Sequence, residues 1–311
     1  MANCTKEYSK QLVEKFWERE WVKIKQIDFP KTREHEITED SCVKELSNLK
    51  NSYKSNKALS KTIIKFHESM KYASRKGRLS PYEFWQKLKT DSNLFKNFYE
   101  NRLRCSDWFN EKQGANFHYL HEGYVPEFIY GIGLSTSRKA PMVSYFKPAL
   151  AKNIILKYLD NFNTIFDPCS GYSGRMIGSL CSNKNFIGYD INDLTINESQ
   201  KIYNFSKHLF ENNTCELYVK DSLNNYGNFE CMLTCTPYKD LESWKSSTKI
   251  ISSKLSCDDW IDRLINNYKC KRYIFVVDNT IEKYKNYIVE ELENFSHFGI
   301  NKEYIIKIDK D

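Results

Sequence analysis

Three acidic side chains each follow a short apolar run in the second half of the sequence. Asp167 enters a turn that contains Gly171, Asp190 comes 23 residues after Asp167, and Asp221 follows the third run. A carboxylate there can accept hydrogen bonds from a ligand, and a glycine lets the backbone approach the ligand closely. The interval to Asp190 suits a carboxylate that accepts both hydroxyls of a ribose. Taken singly, each acid is more often a cap of the next helix.

A fourth apolar run ends in a small polar pair, a proline and an aromatic ring: Cys235, Thr236, Pro237 and Tyr238. In an open parallel sheet, ligands bind beyond the carboxyl ends of the strands, so the segments that follow successive strands meet around one site. Four such segments in order are hard to explain by helix capping alone. The sequence therefore predicts one ligand site built from all four.

The elements that must position these residues alternate after Pro141. Apolar runs predict strands at 164–166, 186–189, 216–219, 230–234, 273–277 and 304–308. Helical periodicity predicts helices from Pro148 to Leu159 and at 174–181, 194–210, 258–268 and 282–293. This alternation is typical of parallel βαβ units. The predicted fold class is α/β, a Rossmann-like, doubly wound and mostly parallel sheet with a mainly helical N-terminal region.

The N-terminal region shows amphipathic helical periodicity at 9–25 and 59–72, and a further helix is expected at 91–105. Ser80, Pro81 and Glu83 form a helix start, with an N-cap, a proline at the first helical position and an acid in the first turn. Residues 112–141 hold four glycines and two prolines and are expected to be loops. We therefore expect two domains, 1–135 and 136–311.

The positive charge is concentrated in the first half of the chain. The net charge is +7; residues 1–150 carry 27 Lys or Arg against 18 Asp or Glu, and 50–104 alone carry 14 basic and 4 acidic residues. Aromatic residues are interleaved with these: Tyr53, Phe66, Tyr72, Tyr82, Phe84, Trp85, Phe95, Phe98 and Tyr99. Such a stretch suits nucleic acid, since phosphates attract cations and exposed rings stack on bases. The alternative is a solvated helical face over an aromatic core.

The remaining composition excludes several classes of protein. No run approaches 18 apolar residues and the first ten residues do not resemble a secretory signal, so neither a membrane span nor secretion is expected. The ten cysteines include no CxxC pair. We therefore expect no metal site, and reduced thiols in a cytoplasmic protein.

In its motifs the chain resembles the class I S-adenosylmethionine-dependent methyltransferases, and among them the DNA amino-methyltransferases. Residues 167–173 are similar to the family's first motif, Asp-Pro-Phe-x-Gly-x-Gly. Residues 235–238 are similar to its catalytic motif, in which an Asp, Asn or Ser is followed by Pro-Pro and by Tyr or Phe. Phe146, Lys147 and Pro148 stand where many members help to hold the methionine part of the cofactor. The resemblance covers about residues 140–311.

The resemblance implies S-adenosylmethionine as the cofactor and assigns roles to single residues. The implied cofactor-binding residues are Lys147, Pro148, Asp167, Pro168, Ser170, Gly171, Asp190 and Asp221. Asp167 and the Gly171 turn would face the methionine part, Asp190 the ribose and Asp221 the adenine amine. The implied catalytic residues are Cys235, Thr236, Pro237 and Tyr238. Tyr238 would stack on a base rotated out of double-stranded DNA.

Three residues depart from the family's motifs. Cys235 replaces the acceptor, Thr236 replaces the first proline and Ser173 replaces the second glycine. A thiol is a weak hydrogen-bond acceptor. A small Ser-like residue at 235 points toward cytosine N4, whereas adenine N6 is the more frequent target in the family. A covalent role of Cys235 on a pyrimidine ring is less favoured, because the nucleophile of cytosine-C5 enzymes follows a proline.

The sequence thus predicts a DNA methyltransferase that acts on an exocyclic base amine, with adenine N6 favoured and cytosine N4 next. Its partner would be double-stranded DNA, in a restriction-modification or phage-related setting. Two alternatives stay open. One is an RNA base methyltransferase, and the other is a catalytically silent nucleic-acid-binding protein on the same fold.

Overall fold

The computed structural model describes residues 6–30, 37–52, 60–75, 77–113, 125, 127–135, 139–140, 143, 145–237, 239, 242–248, 250–278, 280–292 and 302–310. Its α-helices are α1 (Lys6–Lys25), α2 (Glu39–Asn51), α3 (Lys61–Phe66), α4 (Pro81–Thr90), α5 (Ser92–Gln113), α6 (Glu127–Ser135), α7 (Pro148–Tyr158), α8 (Gly174–Cys181), α9 (Asp193–Ser206) and α10 (Cys257–Asn267). Its strands are β1 (Ser74–Arg75), β2 (Thr164–Asp167), β3 (Asn185–Asp190), β4 (Cys215–Val219), β5 (Gly227–Asn228), β6 (Cys231–Cys235), β7 (Glu242–Lys245), β8 (Ile250–Ser252), β9 (Tyr268–Lys269), β10 (Arg272–Asp278), β11 (Ile288–Leu292) and β12 (Glu303–Asp309).

Seven strands form one sheet in the order β11, β12, β10, β6, β2, β3, β4. The last five strands of that order are parallel to one another, whereas β12 is antiparallel to both of its neighbours. The central strands β6 and β10 are almost wholly buried, as in parallel sheets covered on both faces. From β2 the chain proceeds outward to β3 and β4, and from β6 it proceeds the other way to β10, so the order reverses between β2 and β6. This is the arrangement of a Rossmann-like, doubly wound and mostly parallel sheet, and the predicted fold class is confirmed.

The chain divides into two compact units that differ from its linear halves. Unit 1 comprises residues 1–36 and 71–142, and unit 2 comprises 37–70 and 143–311. Residues 37–70, which the sequence placed in the N-terminal region, therefore belong with the sheet. The reason is visible at the end of α2, where the buried Lys152 ammonium of α7 donates to the carbonyls of Leu49, Lys50 and Ser52 at 2.6, 2.8 and 2.9 Å. Helix-end carbonyls need such partners, and here α7 supplies them.

The aromatic residues of the basic stretch mostly form the core of unit 1. Five of them are buried in one apolar cluster: Phe84, Trp85, Phe95, Phe98 and Tyr99. The apolar face of α1 packs into the same cluster through Leu12, Val13 and Ile24. The expectation of exposed stacking rings is therefore wrong for these five, because α4 and α5 turn them inward against α1. Tyr53 lies outside the described residues.

Local sequence signals explain where several elements begin. The side chain of Ser80 accepts a hydrogen bond from the Glu83 amide while Glu83 bonds back to Ser80, and Pro81 occupies the first turn of α4. The same reciprocal capping by Ser256 and Asp259 starts α10. Both helices were predicted from their sequence.

Two predicted segments differ from the structure. Residues 112–141 were expected to be loops, yet α6 lies within them. A β-carbon at Gly133 would lie 2.5 Å from Cδ of Arg102, so this glycine allows close packing on α5 rather than a turn. The predicted helix at 282–293 is instead a short 3-10 turn, Lys285–Tyr287, followed by β11. Pairing with β12 at the sheet edge overrides the helical preference of Glu290 and Glu291.

The predicted helix at 59–72 is broken at one residue. It consists of α3 and a 3-10 turn, Glu68–Tyr72, and His67 lies between them with its side chain buried. Within the described part of the chain, no helix is long and apolar enough to cross a membrane. The described residues also contain no group of three or more His, Cys, Asp or Glu that could hold a metal ion.

Candidate functional site

The turn between β2 and α8 forms the centre of the site. Gly171 and Ser173 both have a positive φ, +54° and +64°. This conformation is open to glycine but strained for serine. A β-carbon at Gly174 would fall 1.7 Å from the carbonyl oxygen of Phe146, so only glycine permits the close approach of the two segments. The sequence of the turn thus sets both its curvature and its contact with the segment before α7.

Asp190, at the end of β3, is bound to this turn. Its Oδ2 accepts a hydrogen bond from the Gly171 amide at 2.9 Å, and its Oδ1 accepts one from the Asn192 amide at 2.9 Å. Burial raises the pKa of the Asp190 carboxyl, although the two amide bonds oppose that effect. Each carboxylate oxygen keeps further acceptor capacity for a ligand hydroxyl.

Asp167 is turned away from the ligand space. It is fully buried, and its Oδ2 accepts from Nε of Arg175 at 2.6 Å. Its Oδ1 accepts from Thr234 Oγ1 at 2.8 Å and from the Cys169 amide at 3.1 Å. This carboxylate holds β2, β6 and the turn together, and the structure places no part of it on the cavity wall.

Arg175 is a buried cation on the cavity wall. Its Nη2 donates to the carbonyl of Cys169, and its guanidinium lies 5.0 Å from the ring centre of Phe146. Burial lowers the pKa of Arg175, but Asp167, together with Cys235 and Cys169, raises it by more, so the pKa is raised overall and the charge is retained. Arg175 lines the cavity, whereas its partner Asp167 does not.

The segment after β4 closes the opposite wall. Asp221 accepts hydrogen bonds from the Leu223 amide at 3.0 Å and from Asn224 Nδ2 at 2.7 Å. The neighbouring Ser222 hydroxyl donates to the carbonyl of Pro168. The loops after β2 and β4 are thereby joined, and Asp221 is held at the cavity by its own turn.

The segment after β6 is held through a thiol. Thr236 Oγ1 lies 3.7 Å from Cys257 Sγ, which lies 3.6 Å from Asp278 Oδ1 at the end of β10. Burial raises the pKa of Cys257 to about 11, so it stays a thiol and can link hydroxyl to carboxylate. Thr236 therefore replaces the rigidity of a proline with side-chain contacts. Cys235 lies on the cavity wall beside it, and Tyr238 lies outside the described residues.

These segments enclose one cavity of about 470 Å³ at the point where the strand order reverses. Nine of the predicted residues line it: Lys147, Pro168, Ser170, Gly171, Asp190, Asp221, Cys235, Thr236 and Pro237. Asp167 and Pro148 do not; Pro148 is buried at the first turn of α7. Ser170 Oγ is buried and makes no hydrogen bond among the described residues, so this wall offers a polar group to a ligand.

The cavity also holds residues that the motifs did not assign. Tyr172 comes from the turn and Arg175 from the start of α8, whereas Trp244 comes from β7, and Trp260 and Arg263 come from α10. Trp244 faces Ile251 across the β7–β8 hairpin, and Trp260 Nε1 donates to Ser253 Oγ at 2.8 Å. Arg175 directly follows the glycine turn, which is a usable sequence signal. No sequence signal identifies Trp260 as a cavity residue, because its position on a helix after β8 reveals nothing about the cavity.

No protein-family model matches the chain, and no curated protein sequence matches it. Solved structures with similarity include magnesium protoporphyrin IX methyltransferase from Synechocystis with bound S-adenosylmethionine, at 10% identity and a TM-score of 0.39, covering 53% of this chain and 79% of that one. A ribosomal protein methylase from Lactobacillus delbrueckii has 15% identity and a TM-score of 0.35, covering 52% of this chain and 78% of that one. A 23S rRNA methyltransferase has 10% identity and a TM-score of 0.38, covering 52% and 67%. The fold assignment rests on the strand order described above.

Proposed function

We propose that this protein is an S-adenosylmethionine-dependent methyltransferase that modifies an exocyclic amine of a DNA base. One observation carries the proposal. The Gly171 turn, Asp190, Asp221 and the Cys235 segment follow four different strands, yet they line a single cavity at the reversal of the sheet. Ligand sites of doubly wound sheets occur at this position.

The residues present fit the cofactor. The cavity volume of about 470 Å³ falls within the range of small-molecule sites. Asp190 offers carboxylate oxygens to a ribose, and the buried hydroxyl of Ser170 lacks a partner among the described residues. Arg175 and Lys147 supply positive charge for a carboxylate at the end near Phe146. S-Adenosylmethionine supplies an electrophilic methyl group when bound.

The chain's own residues prepare the amine. An exocyclic amine is a weak nucleophile because its lone pair is conjugated with the base. Cys235 and the backbone carbonyl of Thr236 would accept its hydrogens and draw the lone pair out of conjugation. The contact of Thr236 with Cys257 keeps that carbonyl in place, and positioning supplies much of the acceleration. Tyr238 would stack on the base.

The preference for a nucleic-acid substrate rests on charge, and the preference for DNA over RNA rests on the resemblance of residues 235–238 to the catalytic motif of the DNA amino-methyltransferases. Unit 1 carries 20 Lys or Arg against 14 Asp or Glu, whereas unit 2 carries 27 against 26. Since five aromatic residues of the basic stretch are buried, phosphate attraction rather than ring stacking would supply the affinity of unit 1. Adenine N6 is the favoured target and cytosine N4 the next.

The test has two stages. Calorimetry with S-adenosylmethionine should show binding to the full chain, and absence of binding would remove the enzyme hypothesis in favour of a silent nucleic-acid binder. Incubation with labelled cofactor and either duplex DNA or RNA, followed by nucleoside mass spectrometry, should then show methylated adenine or cytosine from DNA. Label in RNA nucleosides alone would overturn the DNA assignment and support the RNA alternative.

A further inference from the structure

A buried chain of hydrogen bonds ends at the strained residue of the cofactor turn. His67 Nδ1 lies 3.0 Å from Glu198 Oε2, and His67 Nε2 lies 2.8 Å from Ser173 Oγ. Ser173 Oγ is also 2.6 Å from Ser199 Oγ. The His67 side chain is fully buried, and Ser173 is 1% exposed. His67 and Ser173 are 106 residues apart in the chain, so local folding does not explain this contact.

The carboxylate at the far end is itself fixed. Glu198 Oε1 accepts a hydrogen bond from the Ser69 amide at 2.9 Å, and Oε2 accepts one from the Ser69 hydroxyl. Burial lowers the pKa of His67, against the opposing effect of Glu198, so the ring is neutral at pH 7. Besides Glu198, Ser173 and the edge-on ring of Tyr172 contact the His67 ring. A neutral ring that donates from Nδ1 to Glu198 can accept from Ser173 at Nε2.

Ser173, His67 and Glu198 have the order of a hydrolytic triad, but they cannot act as one. Ser173 is buried and is absent from the cavity wall, and its oxygen is engaged by both His67 and Ser199. A nucleophile must reach its substrate. The network therefore acts on the backbone of the turn.

The turn transmits the position of Ser173 to the cavity. The Ser173 amide donates to the Gly171 carbonyl at 3.0 Å, and the Gly171 amide donates to Asp190 at 2.9 Å. Tyr172, on the cavity wall, has its ring centre 5.2 Å from that of His67. Non-glycine residues with positive φ persist where surrounding structure holds them, and such residues cluster at functional sites.

From these contacts we infer that His67 is a positioning residue for the cofactor turn: anchored on Glu198, it holds Ser173 in its left-handed conformation and thereby orients Gly171, Tyr172 and Asp190. Ser173 stands where the resembling family places glycine. Serine lacks the conformational freedom of glycine at this position, but its hydroxyl makes hydrogen bonds that can hold the turn in place. The inference rests on the proposed function only for the identity of the ligand.

The test is a double-mutant cycle in the full chain. S-Adenosylhomocysteine is the probe, and its Kd is measured by calorimetry for wild type, His67→Ala, Ser173→Gly and the double variant. His67→Ala should weaken binding by about tenfold, or about 1.4 kcal/mol. In the Ser173→Gly background the same change should weaken binding by less than about threefold, because glycine adopts the turn without an anchor. An equal loss in both backgrounds would mean that His67 acts only through general stability.

Two further sets of variants keep the test decisive. His208→Ala removes an exposed histidine from the short helix Lys207–Leu209 and should leave the Kd unchanged. If His67→Ala does not fold, His67→Asn and His67→Gln replace it. The Asn amide can reach Glu198 but not Ser173, whereas the Gln amide can reach Ser173, so Gln should preserve more affinity. Equal affinity of the two variants would contradict the inference.

A readout without ligand separates this inference from the proposed function. If wild type does not bind S-adenosylhomocysteine, the proposed function fails. Amide hydrogen exchange across residues 169–174 then tests the positioning role alone. His67→Ala, or His67→Asn in its place, should speed exchange there relative to His208→Ala. Unchanged exchange would overturn the inference.

Discussion

Asp167 is a predicted site residue that the structure places away from the cavity wall. The motif places it at the end of a strand beside a ligand, and the sequence predicts a cofactor contact. In the structure all of its hydrogen bonds are internal, with Arg175 as its charged partner. Sequence could not reveal this partner, because the motif specifies the turn but not the direction in which the carboxylate points.

The Asp167–Arg175 pair should matter for stability. Its side chains are 0% and 5% exposed, so Asp167→Asn leaves a buried cation without its counter-charge. We expect a loss of about 3–5 kcal/mol in the free energy of unfolding, measured by urea denaturation. The matched control is Asp262→Asn, whose partner Lys283 is 59% exposed, with an expected loss of about 0–1 kcal/mol. Similar losses for the two variants would contradict the buried role.

Asp190 gives a prediction about pH. Burial raises its pKa above the ordinary 3.8, so its contribution to stability is fully present below that value and is lost as the pH rises through the raised pKa. Ligand binding should show the opposite trend, because only the ionised carboxylate can accept both hydroxyls of a ribose. Calorimetric affinity for S-adenosylhomocysteine should rise across this pH range in wild type. Asp190→Asn should bind about tenfold more weakly at pH 7 and lose that pH dependence.

Cys235 distinguishes two kinds of chemistry. As a hydrogen-bond acceptor it should be replaceable by serine, so Cys235→Ser should retain methyl transfer while Cys235→Ala loses about tenfold or more, or about 1.4 kcal/mol. If Cys235 were a covalent nucleophile, serine could not replace it, and both variants would be inactive. Initial rates with labelled cofactor decide between these outcomes, with Cys215→Ser on β4, which does not line the cavity, as a control.

At the scale of elements, the structure confirms those whose signals are local. The capping boxes at Ser80 and Ser256 specify helix starts through contacts three residues apart. The sequence did not predict correctly the elements whose conformation depends on contacts with residues far along the chain. β11 forms because it can pair with β12 at the edge of the sheet. α6 contains Gly133 because the Arg102 side chain occupies the space that a β-carbon there would need. Periodicity alone carries no information about either partner.

The contact between α7 and α2 gives a prediction of its own. Lys152 is 4% exposed and donates to three carbonyls at the end of α2. Lys152→Met leaves these carbonyls without their charged donor, and we expect the free energy of unfolding to fall by about 3 kcal/mol. The control is Lys157→Met on the same helix, whose ammonium bridges to Glu290 and whose side chain is 59% exposed. A loss equal to that of the control would show that the carbonyls find other partners.

For the whole molecule, the parallel pairing of the central strands follows from the alternation of strand and helix, so the sequence was sufficient for the fold class. The sequence was not sufficient to predict which segments form each of the two compact units. Residues 37–70 precede most of unit 1 in the chain but belong to unit 2, and amphipathic periodicity does not say which apolar surface a helix covers. The role of His67 could not be predicted for the same reason, since Glu198 and Ser173 lie more than 100 residues from it in the chain.

The proposed binding of DNA by unit 1 should depend on salt, because unit 1 carries the excess of positive charge. Affinity should fall steeply between 50 and 200 mM salt, about fortyfold if three phosphates are contacted. Replacing the exposed Arg78 and Lys87 of unit 1 with Gln should reduce the slope of log affinity against log salt. Lys207→Gln, an exposed lysine of unit 2, is the control. An unchanged slope in the unit 1 variant would place the phosphate contacts elsewhere.

The bonds from Lys152 to the end of α2 also impose an order on synthesis. Lys152 is 103 residues downstream of Leu49. At about 5–20 residues per second, the ribosome adds Lys152 roughly 5–20 s after Leu49, so α2 waits that long for its partner. Meanwhile residues 71–142 are completed and can gather with residues 1–36. Unit 1 can therefore fold on the nascent chain first, whereas unit 2 can complete its sheet only when its last strand has left the ribosome.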